Sequence, residues 1–153
     1  MTTGKAARRR AREFALQGIY QWLLSGNSVP VIEAHVEQVS GFEKADRELF
    51  INLLRGTLNN IDALEAQFAP FIHRGIQELS PVEHAVLLLS THELKNNIET
   101  PYRVIINEAI ELAKSYGGTD GHRFVNGVLD RLAARLRQVE VDSRRASDKP
   151  QQL

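Results

Sequence analysis

SPVEHAVLLL, residues Ser80–Leu89, is the stretch of this sequence that decides the fold. It combines a capping Ser80, a proline at the first helical position, and Glu83, whose side chain can reach back to the Ser80 backbone. The run Val86–Leu89 is apolar on nearly every side, which indicates a helix inside a core rather than on a surface. The sequence therefore predicts a helical protein built around the helix that begins at Pro81.

The segments on either side of this stretch also follow the helical period, and no segment shows the sustained alternation of a strand. The predicted helix ends are Ser25–Asn27, Gly41, Pro70 and Gly117, with a kink at Gly56. The predicted helix starts are Ser28 or Asn27 with Pro30, Glu43, Thr100–Pro101, and Thr119 or Asp120. We predict an all-α fold of about seven helices in two small packed bundles, about residues 5–70 and 71–138, with no sheet. Residues 1–138 form one domain in this prediction, and residues 139–153, which have little to bury, form a disordered tail.

Composition excludes several functional classes. The chain has 153 residues and no cysteine, which excludes thiol catalysis, zinc fingers and disulfides and fits a reducing compartment. No apolar run approaches the roughly 18 residues of a membrane span. His84 and His92 are eight positions apart and lack a third ligand, so no metal site is predicted. No nucleophile is placed beside a base, and we predict that the protein is not an enzyme.

The loop Gly117–Gly121 is the most glycine-rich segment of the chain. It lacks the phosphate-loop pattern and no strand precedes it, so a tight turn between helices is the favoured interpretation. Asp120 within it is interpreted as a helix cap.

The strongest functional feature is the basic N-terminus. Lys5 and the arginines of RRRAR, residues 8–12, place five positive charges in the first twelve residues of a chain with 19 basic and 19 acidic residues. Guanidinium groups suit repeated phosphates, because each offers a fixed fork of donors that never loses its charge. This cluster alone supports an RNA- or DNA-binding helix end and a solvated terminus without a partner equally.

Helical geometry places an aromatic residue near that cluster. At 100° per residue, one stripe of the first helix, predicted to be exposed, contains Arg9, Glu13, Leu16 and Tyr20. Arginines on phosphates with rings against bases are a common way to hold single-stranded RNA. Tyr20 is therefore a candidate RNA contact, with a boundary tyrosine as the alternative.

Two blocks of the sequence carry a family resemblance. The first is RRRARE, residues 8–13, followed by ALQGIY, residues 15–20. The second is PYRVIINEAIELAK, residues 101–114, continuing through residues 115–117 and 122–130. These blocks resemble the NusB family of bacterial transcription antitermination factors, in register from about residue 5 to residue 137. The middle, about residues 25–76, matches mainly in its helical pattern.

The resemblance implies a helical fold of two packed bundles without catalysis, metal or cofactor. Members pair with NusE, which doubles as a small-subunit ribosomal protein. The pair binds boxA RNA of nascent transcripts and helps RNA polymerase to read through terminators, notably in ribosomal RNA operons. By position, the resemblance implies RNA contacts at the arginines 8, 9, 10 and 12, partner contacts at Tyr20 and Glu83, and further RNA contacts at Asp120 and Phe124. Glu83 alone could equally be only the capping-box residue, and Phe71 stands where the family commonly has tyrosine.

Three alternatives stay open at this stage. NusB-like domains also precede some RNA cytosine methyltransferases, but those need an α/β domain, and we expect no such activity in these residues. A helical protein-interaction module without RNA binding is the second alternative. Self-association through the face of Leu16 and Tyr20 is the third, so a homodimer is one candidate state. We expect a cytoplasmic location without membrane contact.

Overall fold

The computed structural model describes residues 4–118 and 120–148, and it is helical throughout. Its α-helices are α1 Lys5–Ser25, α2 Val29–Glu37, α3 Arg47–Leu58, α4 Ile61–Ile72, α5 Pro81–Asn96, α6 Tyr102–Tyr116, α7 Gly121–Leu136 and α8 Gln138–Ser147. Short 3-10 helices at Phe42–Lys44 and Ile76–Glu78 complete the described elements. The predicted all-α class is confirmed, with eight α-helices in the described ranges instead of about seven.

Helix α5 is the centre of the molecule, as its sequence predicts. It packs against α1, α3, α4, α6 and α7. Ser80 accepts a hydrogen bond from the Glu83 backbone N–H at 3.1 Å, and Glu83 accepts from the Ser80 N–H at 3.2 Å. Ten consecutive residues from Ala85 to Leu94 are buried, polar ones included. The cap therefore starts the helix, and burial on all sides holds it in place.

The prediction of one continuous helix from Glu43 to Pro70 is wrong. The chain breaks at Asn59–Asn60 into α3 and α4, and Pro70 lies inside α4. Gly56 lies within α3 and allows its close approach to α5. A Cβ on Gly56 would lie 2.1 Å from Cε1 of His92.

Local signals set most of the other helix ends. Gly26, with a φ of 69°, ends α1, and Ser28 precedes α2 with Pro30 in its first turn. Thr100 does not cap α6. Instead, the carboxylate of Glu140, 38 residues later in the chain, caps the helix by accepting a hydrogen bond of 2.8 Å from the Tyr102 backbone N–H.

The prediction of a disordered tail from residue 139 is wrong for the described residues, because α8 occupies 138–147. Arg137, 5% exposed, precedes it. The Arg137 guanidinium donates to carbonyls at the end of α5 and beyond, those of Glu93, Leu94, Asn97 and Thr100, and to the Glu140 carboxylate at 2.7 Å. Val141 of α8 is buried in the core. Residues 149–153 of the predicted tail lie outside the described residues.

The buried apolar side chains from α1 to α8 form one hydrophobic cluster. Burial of this surface supplies most of the stabilisation, because the chain has no disulfide. Within the described ranges, no helix is both long enough and apolar enough to cross a membrane.

Candidate nucleic-acid interface

The first part of the candidate surface is the exposed start of α1. Lys5, Arg8 and Arg10 are exposed. A groove of about 570 Å³ is lined there by Lys5, Ala6, Arg9, Arg10 and Glu13. Four of these five side chains are charged, and three of the four are cationic. The groove is therefore suited to an extended anion.

Arg9 is held in place at the edge of this groove. Its Nε and Nη2 donate to the two carboxylate oxygens of Glu108 on α6, each at 3.1 Å. The hydrogen bonds and then the charge of Glu108 raise the pKa of Arg9 above its ordinary value. The Arg9 side chain is still 47% exposed, whereas that of Glu108 is 9% exposed. Glu108 therefore orients the guanidinium while Nη1 stays available for a phosphate.

The placement of Arg12 contradicts its prediction as a phosphate contact. Arg12 is 5% exposed, and its Nε and Nη2 donate to the Glu93 carboxylate at 2.9 and 3.0 Å. Burial alone would lower the pKa of Arg12, but the hydrogen bonds and charge of Glu93 outweigh it, and the pKa is raised. Arg12 is part of the packing between α1 and α5. Because its guanidinium is buried and paired with Glu93, Arg12 has no free face for RNA.

The predicted exposed stripe of α1 is wrong at Leu16, which is 3% exposed. Helix α1 packs against α3 on one side and α5 on another, so its buried arc is wider than one stripe. Tyr20, one turn further, is 38% exposed. It lines an apolar groove of about 300 Å³ whose other residues are Leu16, Gln17, Val82 and Tyr116.

Tyr116 is a residue of this surface that no sequence motif predicted. It ends α6 and is 45% exposed. Burial and then the charge of Glu13 raise the pKa of Tyr116, and a hydrogen bond with Gln17 offsets part of the change. Tyr116 therefore lines the apolar groove and also lies near Glu13, which lines the basic groove. Its position at a helix end beside Gly117 was the signal in the sequence.

A second cluster lies where α5 and α7 begin. Glu83 forms an ion pair of 3.5 Å with Arg74, whose guanidinium carbon lies 4.1 Å from the centre of the Phe124 ring. Gly121 adjoins the cluster, since a Cβ there would lie 3.7 Å from Cγ of Glu83. Glu83 thus acts both in the capping box and in a surface cluster, and the two interpretations of its role are compatible. Arg74 was not predicted, because the residue that it covers is fifty positions away in the chain.

Phe124 also borders a hollow of about 260 Å³ between α4 and α7. Its other lining residues include Phe71, His73, Arg123 and Arg131. Arg131 donates to the Phe71 carbonyl at 3.4 Å. Phe71 and Phe124 are half-buried and pack against the core. Arg74 covers one face of Phe124, so a base would stack on the part of the ring that Arg74 leaves open.

Asp120 is exposed immediately before α7, at the N-cap position, but its side chain makes no capping hydrogen bond. Asp120 therefore occupies the predicted cap position without the side-chain hydrogen bond of a cap. Thr119, the alternative helix start, lies outside the described residues. Among the residues described, no group of histidine and carboxylate side chains could hold a metal ion.

The candidate surface therefore consists of three parts in sequence: the basic groove of α1, the apolar groove with Tyr20 and Tyr116, and the Phe124 cluster. Glu13 adjoins the first two parts, and the neighbours Val82 and Glu83 join the second to the third. Cationic groups at both ends with aromatic rings between them can hold phosphates and bases of one extended strand.

The chain is similar in sequence to proteins of one family. The model of the NusB family matches residues 9–134. The transcription antitermination protein NusB of Aromatoleum aromaticum is 78% identical over 144 residues, which cover 94% of this chain and 99% of that protein. The protein of the same name from Azoarcus sp. is 72% identical over 145 residues, covering 94% of each.

Two solved structures share the fold. T. maritima NusB superposes with a TM-score of 0.78 at 28% identity, covering 93% of this chain and 99% of that chain. A chain from the crystal structure of antitermination factors NusB and NusE in complex with dsRNA superposes with a TM-score of 0.75 at 22% identity. That match covers 86% of this chain and 99% of the other, and at this identity it establishes the helical architecture.

Proposed function

The chain belongs to the NusB family, and from this membership we propose that it is a transcription antitermination factor that binds boxA RNA together with NusE. The observation that carries the RNA part is the basic groove of α1, where Glu108 holds Arg9 beside the exposed Lys5 and Arg10. These groups supply contacts to phosphates, which give affinity without sequence choice.

Sequence choice is assigned to the aromatic residues. Tyr20 and Tyr116 are partly exposed, and the Phe124 ring, four residues after Asp120 in the chain, lies 4.1 Å from the guanidinium carbon of Arg74. Bases of a single strand can stack on these rings, while an exposed carboxylate such as Asp120 can accept from a base amino group. Lys5, Arg8, Arg9, Arg10, Tyr20, Asp120 and Phe124 remain the proposed RNA contacts, and Arg12 is removed from this set.

The partner contact is assigned to Tyr20 and Glu83. Tyr20 lines the apolar groove of about 300 Å³, and Glu83 directly follows Val82, which also lines it. A partly apolar groove with a charged rim is typical of a protein contact. The similar structure that contains NusB, NusE and dsRNA supports NusE as the partner. The same groove also suits a second copy of the chain, and the homodimer is the competing occupant.

In this proposal the protein acts by binding and not by catalysis. It works in the cytoplasm as part of an RNA polymerase antitermination complex on nascent transcripts, with ribosomal RNA operons as the main targets. The support is the family membership.

Filter binding of a boxA oligonucleotide, with and without NusE, tests the proposal. We expect weak binding by the protein alone and tighter binding when NusE is added, because the α1 groove supplies only a few phosphate contacts. A scrambled oligonucleotide of the same length is the control and should bind more weakly. If NusE leaves the affinity for boxA unchanged, the partner assignment is wrong. If neither mixture binds RNA, the protein-interaction module without RNA is the correct alternative.

A further inference from the structure

A polar groove lies between α6 and α8, away from the surface described above. Its volume is about 390 Å³, within the range of small-ligand sites. Its lining includes Tyr102, Arg103, Asn107, Asn126, Arg144 and Arg145. One wall is α8, which lies beyond residues 9–134 matched by the family model.

The arginines of this groove are incompletely neutralised. Nη1 of Arg103 and Nε of Arg144 lie 3.8 and 3.4 Å from the same oxygen, Oδ2 of Asp148. Arg145 has no hydrogen bond or ion pair with the described residues. Asp130 is the other carboxylate in the lining, so three guanidinium groups face two carboxylates. Several N–H donors are therefore left for an anion.

Helix α6 separates this groove from the basic groove of α1. Glu108 reaches Arg9 on one face of α6, while Asn107, about 100° round the helix, lines the groove on the neighbouring face. On α7, Asn126 and Asp130 line this groove, whereas Phe124 and Arg131 line the hollow next to α4. The groove is thus a separate site, and a strand leaving the α1 groove would reach it by crossing α6.

We infer that the groove between α6 and α8 binds a nucleotide of the RNA beyond the segment held by the first surface. This inference rests on the proposed RNA-binding function. The three arginines bind the phosphate, the Tyr102 ring contacts the base or sugar, and the two asparagine amides pair with a base edge. The proposed function already brings a polyanionic single strand to the protein, and its bases offer donors and acceptors to the two amides. RNA is therefore the favoured ligand.

The experiment compares two RNAs: a boxA oligonucleotide and the same oligonucleotide extended with single-stranded sequence at either end. The variant is Arg144→Ala/Arg145→Ala in the full chain, with NusE present. Both side chains are exposed, so the variant should fold, which circular dichroism verifies. Arg47→Ala/Arg55→Ala is the matched control, because it removes two exposed arginines of α3 that lie outside both grooves.

For the extended RNA, we expect the slope of log K against log salt to flatten by about 1.4 in the variant, since each contact with a single strand contributes about 0.7. For the short RNA, the variant and the wild type should have equal slopes, and the control should match the wild type on both RNAs. Asn107→Ala should weaken binding of the extended RNA without changing its slope.

Three outcomes would overturn the inference. Equal slopes of variant and wild type on the extended RNA would remove the groove from RNA binding while leaving the proposed function intact. An effect of the variant that is confined to polyglutamate binding would assign the groove to an acidic protein. Failure of wild type to bind even the short RNA would remove the proposed function, and this inference with it.

Discussion

The buried ion pair between Arg12 and Glu93 leads to a prediction that separates stability from RNA binding. The two side chains are 6% and 3% exposed and are joined by two hydrogen bonds of 2.9 and 3.0 Å. Glu93→Gln removes the negative charge and leaves the Arg12 guanidinium buried without its hydrogen-bonded counter-charge. Breaking a buried pair in this way costs about 3–5 kcal/mol, far more than the ~0–1 kcal/mol of an exposed pair.

For a protein of this size, each kcal/mol lowers Tm by about 2–4 °C, so Glu93→Gln should melt about 6–20 °C below the wild type. Urea denaturation followed by far-ultraviolet circular dichroism gives the free energy directly, provided that the m-value is unchanged. Glu111→Gln is the control. Glu111 lies on the exposed face of α6, 3.9 Å from Lys114, and its loss should change stability by less than about 0.5 kcal/mol.

The double variant Arg12→Met/Glu93→Leu replaces the pair with apolar side chains of similar length. Because both desolvated charges are removed together, its stability should equal or exceed that of the wild type. Its affinity for boxA RNA and its salt dependence should also be unchanged, since Arg12 does not reach the surface. A flattened salt dependence in this folded variant would refute the structural role of Arg12. A cost below about 1 kcal/mol for Glu93→Gln would refute the burial argument.

Three further predictions follow from the same structure. Arg9→Ala should flatten the dependence of log K on log salt by about 0.7 to 1 in boxA filter binding, while Arg47→Ala should not; equal slopes would exclude Arg9 as a phosphate contact. Phe124→Ala should weaken RNA binding by about 1–3 kcal/mol if a base stacks on the ring, whereas a lower Tm with unchanged affinity would show only a packing role. Burial lowers the pKa of His92 below its ordinary 6.5, so the unfolded chain binds more protons and the free energy of unfolding should fall as pH drops below about 6.5. Urea titrations across this pH range test that direction, and His92→Gln should reduce the dependence; an unchanged dependence would assign it to another group.

The helix starts and stops show how far local sequence determines this fold. Ser80, Pro81 and Glu83 form the predicted cap, and Gly26 ends α1 in the left-handed conformation that glycine tolerates. These features depend on residues within one turn of each other, so they could be predicted. Asn59–Asn60 ends α3 without comparable punctuation, and the continuous apolar pattern across it concealed the break.

The candidate surface was predictable in part. The exposed cations Lys5, Arg8 and Arg10 were identified because adjacent like charges are costly to bury unless each is paired. Tyr116 and Arg74 were missed, since their importance depends on neighbours from other helices. The α8 segment was also misjudged, because its composition is polar and its main attachment is Arg137, which binds carbonyls about forty residues earlier in the chain.

The sequence by itself determined the helical class, the central position of α5, most helix ends and the family, because these depend on periodicity, capping and motifs that are local in the chain. Only the tertiary structure decided which arginine has which task. Arg9 and Arg12 are alike in chemistry and lie one turn apart. Arg9 meets Glu108 at the rim and keeps a free edge, whereas Arg12 meets Glu93 inside the core. The difference lies in the distance of each guanidinium from water, which depends on how α5 and α6 pack against α1.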